Sequence, residues 1–273
     1  LQTVGWAATG VHDANCNLLG DSDQVLQFLP ATWNAGNGKP HALQLESGDD
    51  SGAATAINDR GQVTGISGKC DQAVGRYTAT HMVIWNNGHP ADIGNLGGDA
   101  WNTPMAINRY GDVAGFANVA PGAALLEHAF FRGHAGGPPL DLGVLYPGDV
   151  HSQALGLNDR GQVVGLSCTA HFAVCNGFLW QDGVMYDLNQ LVPGYDGTII
   201  DAQDINNLGQ ITGQAVDASG NLVTFVATPV PNGGHRDGPA HPARRIAAMP
   251  AAARQALLRH LGLDRSDPRP RAQ

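Results

Sequence analysis

The sequence predicts an all-β chain: a five-bladed β-propeller of four-stranded repeats, followed by a short basic helical tail. Three observations carry this expectation. One phrase returns at a nearly fixed step. It reads Ala56-Ile57-Asn58-Asp59-Arg60-Gly61-Gln62-Val63-Thr64-Gly65, and its later copies start at Ala106, Gly156 and Asp204. Counted from Asn58, the steps are 50, 50 and 48 residues, and periods of this size belong to solenoids, propellers and arrays. Two further strand-like phrases lie between copies in constant order. Finally, 37 glycines and only 14% charged residues suit many short strands joined by tight turns.

Each repeat reads as four strands. The core phrase is a hairpin, an apolar run ending at Asn, a short polar stretch, Gly, and an alternating run such as Gln62-Val63-Thr64-Gly65-Ile66. Asn and Gly both tolerate the positive φ of a tight turn, and β-branched alternation is strand chemistry. A third strand follows in His81-Met82-Val83-Ile84-Trp85, His128-Ala129-Phe130-Phe131-Arg132, Asn176-Gly177-Phe178-Leu179-Trp180 and Thr224-Phe225-Val226-Ala227-Thr228. A fourth follows in Pro90-Ala91-Asp92-Ile93-Gly94, Pro139-Leu140-Asp141-Leu142-Gly143 and Met185-Tyr186-Asp187-Leu188-Asn189. Four short strands in one such period make a propeller blade. A worn copy of the core phrase fits at Asp13 to Gly20, 45 residues before the second. Five blades result, at 5–48, 49–98, 99–148, 149–194 and 195–229. The last shows three strands, and Leu1-Gln2-Thr3-Val4 is positioned to supply its missing edge. An open stack of sheets and a β-sandwich are the alternatives.

With these phrases in order, the chain resembles the bacterial "extracellular repeat, HAF family" proteins. Their repeat runs roughly His-Ala-Phe-Leu-Trp, Asp-Leu-Gly, then Ala-x-x-Ile-Asn-x-x-Gly-Gln-Val-Val-Gly. His128-Ala129-Phe130, Asp141-Leu142-Gly143 and Gly161-Gln162-Val163-Val164-Gly165 match it. The first repeat departs, with Leu29-Pro30-Ala31-Thr32-Trp33 in place of the name-giving phrase. The resemblance spans residues 10 to 229 and implies a propeller-like fold and export from a bacterial cell, to the periplasm, the cell surface or the medium. It implies no particular activity.

No run of apolar residues is long enough for a transmembrane helix. The chain begins at Leu1 without a basic leader, as expected of a processed exported protein or of a trimmed chain. Four cysteines are expected to be oxidised in such a compartment. Cys168 and Cys175 face each other across a hairpin and are expected to pair. Cys16 and Cys70 remain to pair with each other, although a turn after a first strand and a loop after a second emerge on opposite faces.

Charge divides the chain. Residues 1–235 hold 7 Lys and Arg against 21 Asp and Glu, net −14, and residues 236–273 hold 8 Arg against 3 Asp, net +5. The acidic body argues against nucleic-acid partners. The composition changes near Pro229, and residues 230–249 read as a Pro- and Gly-rich linker. Residues 250–273 read as an amphipathic helix, opened by Pro250 and closed by Gly262, with a disordered end. Leu257, Leu258 and Leu261 share one face beside Arg254 and Arg259. That helix is expected to dock on its own acidic body or to recruit a protein partner or a membrane surface.

Acidic residues recur where one repeat passes to the next, at Asp49-Asp50, Asp99, Asp149 and Asp196. In a propeller these connections surround the channel mouth, with Trp101 and His151 just beyond them. Asp49, Asp99, Asp149 and Asp196 are therefore candidate Ca²⁺ ligands. They are equally candidate contacts to a sugar or a cationic group, or simple caps on their own turns. His81 and His128 hold equivalent repeat positions, which points to hydrogen bonding or packing. Trp33, Trp85 and Trp180 are likewise equivalent and expected between blades, or on a repeated binding shelf.

Gly-x-Ser-x-Gly, His-Glu-x-x-His and Walker sequences are absent from the chain. The expectation is an exported binding or scaffold propeller that recognises a ligand, glycan or protein through its channel face or its tail. Two alternatives stand beside it. One is a carbohydrate-active hydrolase with a central carboxylate set, such as Asp49, Asp99 and Asp149, though equivalent carboxylates lack the unlike surroundings that acid and base need. The other is a self-associating structural surface protein.

Overall fold

The computed structural model describes residues 2–12, 26–34, 38–69, 79–121, 126–192, 194–230 and 249–260. The chain is mostly β and forms five small antiparallel sheets in chain order. The first holds β1 (Gln2–His12), β2 (Leu26–Asn34) and β3 (Pro40–Ala42). The second holds β4 (Ser51–Ile57), β5 (Val63–Gly68), β6 (His81–Asn86) and β7 (His89–Asp92). The third holds β8 (Thr103–Ile107), β9 (Val113–Asn118), β10 (Glu127–Arg132) and β11 (Leu140–Gly143). The fourth holds β12 (Asp149–Leu157), β13 (Val163–Thr169), β14 (Cys175–Gln181) and β15 (Val184–Asp187), and the short helix α1 (Leu188–Leu191) follows it. The fifth holds β16 (Thr198–Ile205), β17 (Ile211–Val216) and β18 (Leu222–Ala227). A terminal helix, α2 (Ala251–His260), completes the described chain.

Each sheet packs its first strand onto the sheet before it. β4 lies against β1 and β2, β8 against β4 to β6, β12 against β8 to β10, and β16 against β12 to β14. The core is therefore a series of apolar layers. Leu43, Ala54, Val83 and Trp85 fill the first junction, and Met82, Ile84, Ile107, Val113 and Phe130 the second. Ala114, Ala129, Ala154 and Phe178 fill the third, and Val164, Ile199, Ala202 and Ile211 the fourth. Trp85 is buried in its junction, and Trp180 stacks on Phe131 with ring centroids 5.6 Å apart. Both sit between sheets, as expected.

The glycine that closes each core phrase has a steric cause. A Cβ on Gly65, Gly115, Gly165 or Gly213 would stand 1.9–2.3 Å from a carbonyl oxygen of the first strand. It would also stand 2.9 Å from the ring of Trp85, Phe130, Phe178 or Phe225 respectively. Phe130 is the cross-strand partner of Gly115, and Phe178 of Gly165. The aromatic residue of the His-Ala-Phe phrase thus covers the bare backbone opposite it.

The first sheet differs from expectation. Gln2, Thr3 and Gly5 face Asn34, Trp33 and Ala31, much as Val63 faces Trp85 in the second sheet. The Gln2 amide donates to Asn34 as that of Gln62 donates to Asn86. β1 therefore takes the second-strand position, and Gln2-Thr3-Val4-Gly5 is the tail of a core phrase. The expectation that Leu1 to Val4 completes the last sheet is corrected: residues 2–8 pair with β2 because their alternation matches that partner. The worn copy at 13–20 lies outside the described residues. So do Cys16 and Cys70, which fall between β1 and β2 and between β5 and β6.

Candidate functional site

Strand direction divides the molecule into two ends. One end carries the first-to-second-strand turns, each begun by a repeat Asn, together with the third-to-fourth-strand turns. The other carries the sheet-to-sheet connections, with their aspartates, and the second-to-third-strand loops.

At the connection end the aspartates are built into the backbone. Asp49 accepts from Ser67 Oγ at 2.6 Å and from His81 Nδ1 at 2.8 Å, and its side chain is 3% exposed. Asp149 repeats the device, accepting from Ser167 Oγ at 2.7 Å. Each serine hydroxyl also accepts a backbone N–H, from Glu46 and from Leu145. Each aspartate N–H donates to the carbonyl three residues before it. These are turn-closing networks, and the four-residue return they fix is why Gly-Asp recurs there. Asp50 is half-buried, whereas Asp99 and Asp196 are exposed. Trp101 is buried edge-on against Phe116. Among the described residues no three His, Cys, Asp or Glu side chains group closely enough to share an ion.

His151 is not at a mouth. It is buried, bonded through Nδ1 to Glu127 Oε2 at 2.9 Å and stacked on Phe172 at 4.6 Å. Glu127 is 0% exposed and also accepts from the Gln153 amide. A buried carboxylate needs such partners. Sequence reading missed Glu127, because Leu126-Glu127-His128 looks like the exposed start of a hairpin. His81 and His128 do occupy one repeat position, and both bond a carboxylate, Asp49 and Asp141.

Several groups here titrate away from their usual range. Burial raises the Asp149 carboxyl, and nearby Asp187 adds to this against the Ser167 bond. Burial also raises the Tyr146 phenol, whose hydroxyl donates to Asp187. Burial would raise Asp112 too, but the His134 N–H, the Asn108 amide and the His134 ring together hold it below the usual value. Asp141 is lowered against its own burial by His128 and the Gly143 N–H.

The tail also docks at this end. Cys168 and Cys175 form a disulfide that closes a loop of six intervening residues. The loop carries His171 and Phe172 at φ 58° and 54°, in the left-handed region. Its carbonyls hold α2: His171 O accepts from Arg254 Nε and Nη2, and Ala173 O from the Met249 N–H. Met249, Ala253 and Leu257 enter one apolar cluster with both cysteines, Phe172, Ile200 and Val216. Leu257 is 0% exposed, Leu258 is partly buried and Arg259 is exposed. Leu261 and Gly262 lie outside the described residues. The helix is thus held by apolar burial and backbone hydrogen bonds, where the sequence suggested attraction of charges.

The turn end is organised by four asparagines. Asn58 Oδ1 accepts the N–H groups of Arg60 and Gln62, and its amide donates to Gln62 Oε1 and, at 3.0 Å, to the Asn108 carbonyl. Asn108 does the same within its turn and donates to the Asn158 carbonyl at 3.2 Å. Asn158 donates to the Asn206 carbonyl at 3.1 Å. A lateral ladder thus ties four turns together. None of these asparagines has positive φ; the glycine of each turn takes it, at 73–95°. Asn was expected for its backbone tolerance, but it acts through its side chain.

Two residues of each turn keep their side chains outside this asparagine network: Asp59-Arg60, Arg109-Tyr110, Asp159-Arg160 and Asn207-Leu208. All but Asp159 are exposed, Leu208 at 74%. Asp159 accepts from the Arg109 N–H at 3.0 Å and from the Asn207 amide, and Arg109 lies 4.6 Å from the Tyr110 ring centroid. The hydrogen bond to the Tyr110 hydroxyl raises the Arg109 guanidinium further. Residues from the second to fifth sheets, including Asp59, Arg109, Asp159 and Asn207, line a hollow of about 310 Å³. A neighbouring hollow of about 320 Å³ opens between the second and third sheets. Sequence reading passed over these tips. Their signal was present in the aligned copies, where Asn and Gly are constant but the two positions between them read Asp-Arg, Arg-Tyr, Asp-Arg and Asn-Leu.

Comparison with known proteins found no matching family model and no matching curated protein.

Proposed function

We propose that this chain is an exported, non-catalytic recognition module of the HAF-repeat type. It is a five-bladed β-propeller that binds a glycan or protein ligand with its turn end. The observation that carries this reading is the separation of frame from tip. The asparagine ladder fixes four turns in one array, and the tips carry three different pairs, Asp-Arg twice, Arg-Tyr and Asn-Leu. Rigid elements with variable exposed loops are the common plan of binding surfaces. The propeller reading is supported by the packing of each first strand over the preceding sheet and by the hollow that turns of four sheets share. Export is supported by the Cys168–Cys175 disulfide.

The test is a panel of immobilised polysaccharides and peptides probed with intact protein. Binding lost in Arg109→Ser/Tyr110→Ser/Leu208→Ser but kept in Asp99→Asn and Asp149→Asn is expected. Loss in the aspartate variants with retention in the tip variant moves the site to the connection end, and with it the Ca²⁺ reading of Asp49, Asp99, Asp149 and Asp196.

A hydrolase remains the second reading because of one observation. Burial raises the Asp149 carboxyl, which lies near Asp187, and a raised carboxyl is what an acid catalyst needs. Turnover of any polysaccharide in that panel, abolished in Asp149→Asn, replaces the first reading with this one.

A further inference from the structure

We infer that the hollow between the second and third sheets takes the carboxylate-bearing sugar units of an acidic polysaccharide. The inference rests on reading the turn end as the recognition face, and names its ligand class. The body is acidic, with 7 Lys and Arg in residues 1–235. Four of them, Arg60, Arg109, Arg132 and Arg160, nevertheless stand at the turn end. Arg60 and Arg132 both line the hollow of about 320 Å³, with Tyr110 and His134.

The partners of each charge decide which cation is available. Arg132 Nε donates to the Gly137 carbonyl. Arg109 pairs with Asp159. Asp112 holds His134 through both the ring and the backbone N–H. Asp92 also lines the hollow, and its Oδ1 accepts the Gly94 N–H. The Arg60 guanidinium makes no hydrogen bond or ion pair with any described residue, although its own N–H is fixed by Asn58. An anchored backbone with an uncommitted planar guanidinium is a ready carboxylate fork.

The rest of the lining favours a sugar over an acidic peptide. The Gln62 and Asn86 amides, already bonded to each other, offer remaining donors and acceptors to hydroxyl groups. Tyr110 is 36% exposed at the rim, an amphipathic surface for a ring face. The volume is at the small end of ligand pockets and suits one sugar ring with its substituent. Of the edge strand β7 only Ala91 and Asp92 reach the lining, too short a stretch for a peptide backbone to join as a ladder of N–H and C=O groups.

The experiment is calorimetric titration of the intact protein with an oligogalacturonate, a neutral oligoglucan of equal length, and free galacturonate. The expected result is binding of the acidic oligomer alone, weakened about tenfold in Arg60→Ala, the loss of one charged hydrogen-bonding group. Arg160→Ala, at the equivalent turn position outside the hollow, is expected to change nothing. No binding of the oligogalacturonate, equal binding of the neutral oligomer, or equal weakening by Arg60→Ala and Arg160→Ala overturns the inference. Free galacturonate bound as tightly as the oligomer overturns the polysaccharide assignment. In each case the turn-face reading survives if another probe of the panel is lost on Arg109→Ser/Tyr110→Ser/Leu208→Ser, and falls if none is.

Discussion

Asn108 holds its own turn through three backbone N–H groups and the next turn through one amide bond. Asn108→Ala takes the side-chain acceptor from the Tyr110 and Asp112 N–H groups and the amide donor from Asp112 Oδ2 and the Asn158 carbonyl, while the Gly111 N–H keeps the Asn108 carbonyl. The substitution is expected to cost about 2–4 kcal/mol in urea unfolding, since each abandoned buried group costs roughly 1–3 kcal/mol. Arg60→Ala, at an exposed tip, is expected to cost under about 0.5 kcal/mol. Asp149→Asn tests the connection end. A carboxyl raised on folding contributes stability below its unfolded value, near 4, and loses it as pH rises through the folded value. Asp149→Asn keeps an acceptor for Ser167 and removes the charge, so it is expected to melt higher than the parent at neutral pH, with the gap closing in acid. A lower neutral melting point makes the charge itself functional. The turn was legible because Asn and Gly repeat at fixed spacing. The lateral bond was not, because spacing along one chain does not say which carbonyl the next repeat brings within reach. Glu127 was illegible for a related reason: the strand that buries it lies in another repeat.

Among the elements, β1 and α2 show how local patterns mislead. Leu1-Gln2-Thr3-Val4 reads as an edge strand for the last repeat, yet Gln2-Thr3-Val4-Gly5 matches Gln62-Val63-Thr64-Gly65. The register against β2 decides the matter, because Gln2 and Asn34 make the same amide pair as Gln62 and Asn86. For α2 the leucine face was legible, and its binding partner was the loop between Cys168 and Cys175. That loop keeps two non-glycine residues at positive φ, a conformation that cross-linking helps to maintain. Cys168→Ser/Cys175→Ser is expected to loosen the loop and release α2, seen as faster proteolysis after residue 248 with the sheets still folded. Unchanged proteolysis shows that the apolar contacts of Met249, Ala253 and Leu257 and the loop carbonyls secure the helix without the cross-link.

On the scale of the whole molecule, five sheets in chain order were legible from the period, and the packing of each first strand over its predecessor was not. Two global measurements follow. Asp112 and Asp141 are lowered in the folded protein, so their contribution is present above an unfolded value near 4 and is lost as pH falls through the folded values. His134→Ala and His128→Ala are therefore expected to lower the melting point at neutral pH and to flatten the acid limb below about pH 4. A thermal melt with EDTA and Ca²⁺ add-back is expected to show no shift, because Asp49 and Asp149 are each bonded to a serine in separate connections. A fall reversed by Ca²⁺ restores an ion to that end, since ligand bound only to the native state raises stability.

The asparagine ladder has a bearing on descent as well as on stability. The ladder itself asks one repeat for only a backbone carbonyl of the next, which any residue at that position supplies. A duplicated repeat therefore joins the array without a matching change next door. Outer turn side chains such as those of Arg60 and Leu208 take no part in the ladder, so such positions can drift in chemistry while the fold is inherited whole. In such a design new specificity arises by copying a unit and letting its tip wander.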